Sequence, residues 1–165
     1  MFDIGDYIVY GHNGICQVVD ITHPEISGAD SDRLYYVLVP EKTRESRLFC
    51  PADNDKILIR KIITAEEAKE ILGEAKSLEP MVITNERLRD ESYKQVLKNS
   101  DLRLWIQFIK ALMMRKKERE DSGKKITATD ERYLKIAEEG LCSELAIATG
   151  EEKEDIKQYI LESCI

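Results

Sequence analysis

The sequence predicts an α+β protein: a small five-stranded β-barrel over residues 1–63, then a compact all-α helical bundle over residues 64–165. Three observations carry this. Five short runs rich in Ile, Val, Tyr and Leu, at 6–10, 15–21, 34–39, 47–50 and 57–60, are separated by turn residues. At Thr64 the apolar period lengthens from that of a strand to that of a helix. From there onward, apolar residues recur three and four positions apart between recognisable caps.

The turns are Gly11-His12-Asn13-Gly14, Pro24 with Ser27 and Gly28, the stretch from Pro40 to Ser46, and the stretch from Pro51 to Asp55. Five strands in about 60 residues are too few for a two-layer sandwich, so a strongly bent barrel is the economical way to bury one face of each. The run at 46–50 alternates most clearly, with Leu48 and Cys50 on one face and Arg47 and Phe49 on the other.

In the second half, Thr64 and Glu67 fit a capping box, followed by a stripe of Ala68, Ile71, Leu72 and Ala75. A second helix is expected after Thr84, carrying Leu88, Val96 and Leu97, with a break at Asn99-Ser100-Asp101. Ser100 or Asp101 caps a third helix whose stripe is Leu102, Trp105, Ile106, Ile109, Leu112 and Met113. Trp105 lies on that stripe, so core packing is its expected role rather than stacking on a base. Gly123 ends the helix. Thr127 opens a fourth with Leu134, Ala137, Leu141 and Leu145 inward, and a short fifth spans 155–163.

Among 165 residues, 25 Lys and Arg face 32 Asp and Glu, a net charge of −7, which excludes a uniformly basic nucleic-acid coat. The charge is segregated. Residues 84–126 hold twelve basic and seven acidic residues, a net +5, whereas residues 127–165 sum to −6. A local excess of this kind makes a phosphate-facing patch, although solvated helix faces produce the same counts. No apolar run approaches the roughly 20 residues of a membrane helix, and the first residues lack the pattern of a signal peptide. A soluble, cytoplasmic protein is expected.

Chemistry is sparse. Cys16, Cys50, Cys142 and Cys164 are widely spaced with no C-x-x-C pair, so free and mostly buried thiols are expected. His12 and His23 stand alone in turns, short of the four convergent ligands that a zinc site needs. Neither a nucleophile elbow nor a glycine-rich phosphate cradle is present. The acidic pairs Glu66-Glu67, Glu138-Glu139 and Glu151-Glu152 read as helix starts or exposed faces. The expectation is a protein that is not an enzyme and takes no cofactor or metal.

The run from Phe2 to Gly14 (Phe-Asp-Ile-Gly-Asp-Tyr-Ile-Val-Tyr-Gly-His-Asn-Gly) resembles the opening of the polymerase-interacting domain of the CarD/CdnL family of bacterial transcription regulators, a domain type shared with transcription-repair coupling factor. The run from Ala128 to Tyr133 and the Ser143 to Ala146 stretch resemble the family's late helices, and Asn99-Ser100-Asp101 its helix break. The resemblance implies a Tudor-like (SH3-like) domain at 1–63 that docks on the β-subunit lobe of bacterial RNA polymerase by strand addition at a sheet edge. It further implies a helical domain at 64–165 that contacts promoter DNA, weakly and without sequence preference, and stabilises the open complex.

On this resemblance the strand at 47–50 and its preceding loop are the candidate polymerase edge, with Arg44, Arg47 and Phe49 as contact residues. Arg87, Arg89, Lys94, Lys124, Lys125 and Arg132 are the candidate DNA contacts. A monomer is expected. The sequence departs from the family near Asn85 and Glu86, where many members carry a Trp that wedges into the minor groove. Glu86 would repel phosphate, and Met81, Val82 and Ile83 are the neighbouring apolar residues. Pro24 stands at one place where a basic residue is expected on the polymerase-facing side. The alternative reading is a protein–protein adaptor of the same fold with no significant DNA contact, and a second rival is an enzyme using His12, Cys16 or Cys50.

Overall fold

Strands form where the period-two runs meet their turns: β1 (Tyr7–Tyr10), β2 (Ile15–Thr22), β3 (Tyr35–Pro40), β4 (Leu48–Pro51) and β5 (Ile59–Lys61). The structure, a computed structural model, describes residues 1–23, 32–83 and 85–164. Pro24, the turn assigned to Ser27 and Gly28, and the helix start assigned to Thr84 lie outside the described residues. The chain divides into two compact units, Met1–Ile62 and Ile63–Ile165.

In the first unit all pairings are antiparallel, in the order β4-β3-β2-β1-β5. β1 and β4 are three steps apart, about 14 Å in a flat sheet, yet Tyr10 on β1 and Cys50 on β4 belong to one core cluster. The sheet is therefore strongly bent around one core of Ile8, Tyr10, Cys16, Val18, Tyr36, Leu38 and Cys50. A register shift between Val18 and Asp20 supplies part of the bend. At the amino end, the Phe2 amide donates to the Tyr36 hydroxyl at 3.2 Å while the two rings meet edge to face.

Gly11 has φ +50°, and a Cβ there would meet Ile57 Cγ2 at 2.8 Å, so both the turn and the close approach require glycine. Ile57 and Leu58 fall outside β5, contrary to the alternation reading. The Asn54 side chain accepts from the Lys56 and Ile57 amides and donates to the Ile57 carbonyl, which holds that stretch in a turn.

The second unit holds α1 (Ala65–Glu74), α2 (Arg89–Lys98), α3 (Leu102–Asp121), α4 (Ala128–Thr149) and α5 (Lys153–Ser163). The Thr64 and Glu67 capping box is formed at α1. Asp101 caps α3, Thr127 caps α4, and Gly123 adopts φ +76° just beyond α3. α4 packs on α1, α2, α3 and α5. α3 is covered on more than the predicted stripe, because Phe108, Lys110 and Ala111 are also buried. The segment after α1 lies along it: the Met81 amide donates to the Gln107 carbonyl, and Lys110 Nζ donates to the Lys76 and Leu78 carbonyls. Trp105 packs partly buried against the core, on the bare surface of Gly140, and its indole N–H donates to the Asn99 carbonyl at 2.9 Å.

Leu88 is a correction. The sequence places it on the second helix, but it is 56% exposed and lies ahead of that helix. It sits in a 3-10 turn, Glu86–Leu88, that precedes α2, and α2 buries Tyr93 and Val96 instead. The Glu138-Glu139 pair is likewise mid-helix and half-buried rather than at a helix start or on an exposed face. All four cysteines are free, and Cys16, Cys50 and Cys142 are buried.

Candidate functional site

Two features of the described residues present chemistry outward: the open margins of the sheet, and a lattice of opposite charges in the helical unit. They are described separately, one in each unit.

Among the described residues β4 bonds to β3 alone, with Leu38 opposite Leu48, Val37 opposite Phe49, Tyr36 opposite Cys50 and Tyr35 opposite Pro51. Its other side leaves backbone donors and acceptors without a ladder, the condition for strand addition. Cys50 points into the core and Phe49 points out, 40% exposed, as the alternation of the sequence predicts. Arg47 is exposed and lies one residue before the strand begins. In the preceding turn, closed by the Thr43 amide on the Pro40 carbonyl and the Ser46 amide on the Thr43 carbonyl, Arg44 pairs with Glu41 at 3.2 Å. Arg47 and Phe49 therefore flank one edge, while Arg44 leans back on its own loop. β5 forms the opposite margin and pairs only with β1.

In the helical unit, Asp130 stands in the first turn of α4 and is fully buried. Its carboxylate accepts from the Tyr93 hydroxyl at 2.8 Å and from Arg115 Nε at 3.1 Å, and faces Arg89 Nη1 at 3.8 Å. Glu86 closes the ring on the outer side, with Oε1 accepting from Arg115 Nη1 at 3.1 Å and Oε2 contacting Arg89 Nη2. Two carboxylates and two guanidiniums thus alternate, Asp130 inside and Glu86 62% exposed. Burial and the bond to Asp130 push the Tyr93 phenol up.

A second carboxylate, Asp90, gathers Lys94 at 3.0 Å, the Tyr133 hydroxyl at 3.0 Å and Arg132 at 3.9 Å. Hydrogen bonds from Lys94 and Tyr133 hold Asp90 below the usual carboxylate range. Arg132 also sits 5.2 Å from the Tyr133 ring centroid.

The six residues assigned to DNA are therefore not one patch. Arg89 is drawn inward to Asp130 and Glu86, whereas Lys94 and Arg132 share Asp90. Arg87 is exposed, with no side-chain partner among the described residues. Lys124 and Lys125 are exposed together in the turn after α3, where Arg119 Nε donates to the Lys125 carbonyl at 2.7 Å. The sequence reading missed Asp130, Tyr93 and Arg115 as a unit. The available signals were an acid three residues after the Thr127 cap and a Tyr three before Val96 on the buried face of α2. Met81 and Ile83 pack against the core, which leaves Val82, 79% exposed, as the outward residue of that segment.

Nucleophilic chemistry finds no support in the thiols. Burial pushes Cys16 up to about 11 and raises Cys50, so both stay protonated near neutrality. Among the described residues no group of three or more His, Cys, Asp or Glu is placed to hold a metal ion, and no helix is long and apolar enough to cross a membrane.

The sheet unit has a counterpart among known families. Residues 2–63 match the family model of the CarD-like/TRCF RID domain. The RID domain is an RNA-polymerase-interacting module of Tudor-like fold, and the resemblance first carried by the Phe2 to Gly14 run extends over the whole sheet unit. The match ends where the helical unit begins, so the charge lattice lies outside the RID domain. No curated protein matches the chain.

Proposed function

We propose that this protein is a non-enzymatic transcription regulator whose RID domain binds the β-subunit lobe of bacterial RNA polymerase and whose helical unit contacts promoter DNA, stabilising the open complex. The observation that carries the reading is the RID domain with an unpaired β4 edge bearing Phe49 and Arg47. An extended strand of the polymerase adds to that edge, with backbone bonds supplying affinity and the two side chains specificity. Tethering raises the effective concentration of DNA, so a weak, phosphate-directed contact from Arg87, Lys124 and Lys125 suffices. Such a factor shifts the closed–open equilibrium by its differential affinity for the open state, about 1.4 kcal/mol for each tenfold.

The test is a pull-down with the isolated β lobe. Wild-type protein is retained, Arg47→Glu and Phe49→Ala are lost, and both variants keep the wild-type circular dichroism spectrum. A folded wild-type chain that fails to bind the lobe overturns the reading.

A second reading, the protein–protein adaptor without DNA contact, is favoured by one observation: Arg89, Lys94 and Arg132 are each drawn to an acid of the chain itself, Arg89 to Glu86 and Asp130, Lys94 and Arg132 to Asp90. Replacing Arg87, Lys124 and Lys125 with Ala separates the two. Weakened retention of promoter DNA on the polymerase complex supports DNA contact, and unchanged retention supports the adaptor.

A further inference from the structure

We propose that Arg89 and Arg115 form a clamp for one phosphate group, held ready from behind by Asp130 and Tyr93, and that Glu86 occupies this clamp as the chain's own stand-in for the phosphate. The inference rests on the DNA reading above, under which the phosphate is a phosphodiester of the duplex backbone.

The argument starts from the asymmetry of the charge ring. Asp130 is fully buried, anchored by the Tyr93 hydroxyl at 2.8 Å and by Arg115 Nε at 3.1 Å, and cannot leave without stranding both. Glu86 faces the same two arginines from the solvent side and is 62% exposed. It sits on a single 3-10 turn rather than on a packed helix, and that turn is fastened by one cap, the Asn85 side chain accepting from the Arg87 amide. Glu86 keeps most of its surface in water and gives up less on leaving than Asp130 would. One carboxylate of the ring is fixed and the other is displaceable.

The geometry of the displaceable one matches an oxyanion. Each Glu86 oxygen contacts a different guanidinium, as the two non-bridging oxygens of a phosphodiester would. With Glu86 in place the two arginines and two acids sum to zero. With Glu86 swung out the clamp carries one positive charge, the complement of one phosphate. Arg87 is exposed beside it and supplies a further cation for the neighbouring phosphate. The same placement gives a role to the acid that interrupts the basic stretch: Glu86 keeps two arginines oriented and silent until a phosphodiester arrives at tethered concentration.

The experiment uses the full chain and Glu86→Gln. Anisotropy of a labelled duplex, titrated at several salt concentrations, gives affinity and salt slope, and melting with added inorganic phosphate tests the clamp without DNA. The expected result is duplex binding at least threefold tighter in Glu86→Gln, with the plot of log K against log salt steeper by about one unit. Inorganic phosphate raises the melting temperature of the variant more than that of wild type. Adding Arg89→Gln to Glu86→Gln returns both readouts to the wild-type level. If phosphate stabilises the variant while neither chain binds duplex, the clamp stands and duplex DNA is not its ligand. If wild type binds duplex and Glu86→Gln moves neither readout, the clamp falls and the DNA reading stands. If neither phosphate nor duplex is bound by either chain, the clamp falls.

Discussion

Replacing Asp130 with Ala tests whether the buried carboxylate organises the helical unit. Asp130 and Tyr93 are both fully buried, so the substitution leaves the Tyr93 hydroxyl without its acceptor. An orphaned buried hydroxyl costs about 1–3 kcal/mol. Arg115 also loses its inner partner. Breaking a fully buried pair costs about 3–5 kcal/mol. Here the Arg115 side chain is 24% exposed and keeps Glu86, so about 1–2 kcal/mol is the share to assign. Together the loss is about 3 kcal/mol, which lowers the melting temperature by roughly 12 °C in a unit of about 100 residues. The assay is urea and thermal unfolding of the full chain followed by helical ellipticity. Tyr93→Phe in the Asp130→Ala background removes the orphaned hydroxyl and restores about 1 kcal/mol or more, a coupling that independent sites would not give. A loss below about 1 kcal/mol for Asp130→Ala, or no rescue by Tyr93→Phe, refutes the reasoning.

Two more predictions follow from pKa directions. Burial raises all four thiols, Cys16 to about 11 and Cys142 to about 12, so access decides the order: iodoacetamide at pH 8 leaves buried Cys16, Cys50 and Cys142 unmodified while half-buried Cys164 reacts first. Fast modification of Cys16 or Cys50 in the folded chain, read by mass spectrometry, would revive a role for these thiols in catalysis. Arg103 grips Glu74 through two bonds, 2.6 and 3.1 Å, and holds its carboxyl below the usual range. The folded pKa lies under the unfolded one, so this contribution is present above the unfolded value and disappears as pH falls through the folded one. The small loss in urea midpoint from Arg103→Ala at pH 7 therefore shrinks as the pH is taken down through the carboxylate range, and a loss that stays the same on acidification would contradict the assignment.

Much of this was legible in the residues because it depends on neighbours in the chain. The five runs of alternating residues became five strands with ends displaced by one or two positions. Thr64, Asp101 and Thr127 cap the helices they were expected to open, since capping needs only a side chain and an amide two or three residues on. Gly123 stops α3 for an equally local reason. The misreadings are of another kind. Leu88 has the right spacing for a helix stripe but lies in a 3-10 turn whose cap, Asn85, keeps it out of α2. Phe108 lies off the stripe of α3 and is buried all the same, because Tyr93 of α2 packs edge to face on it, ring centroids 4.9 Å apart.

The amino-acid order alone determined the two kinds of unit, the alternation that turns Phe49 outward and Cys50 inward, and the Phe2 to Gly14 run by which the sheet unit resembles the RID domain. Each follows from periodicity or local bonding over a few residues, which a linear chain carries in full. Only the tertiary structure decided which of the basic residues face solvent. Glu86, Arg89, Arg115 and Asp130 span 45 positions and belong to separate elements. Charges that far apart in sequence find or neutralise one another through packing, and a count of charges along the chain is blind to it.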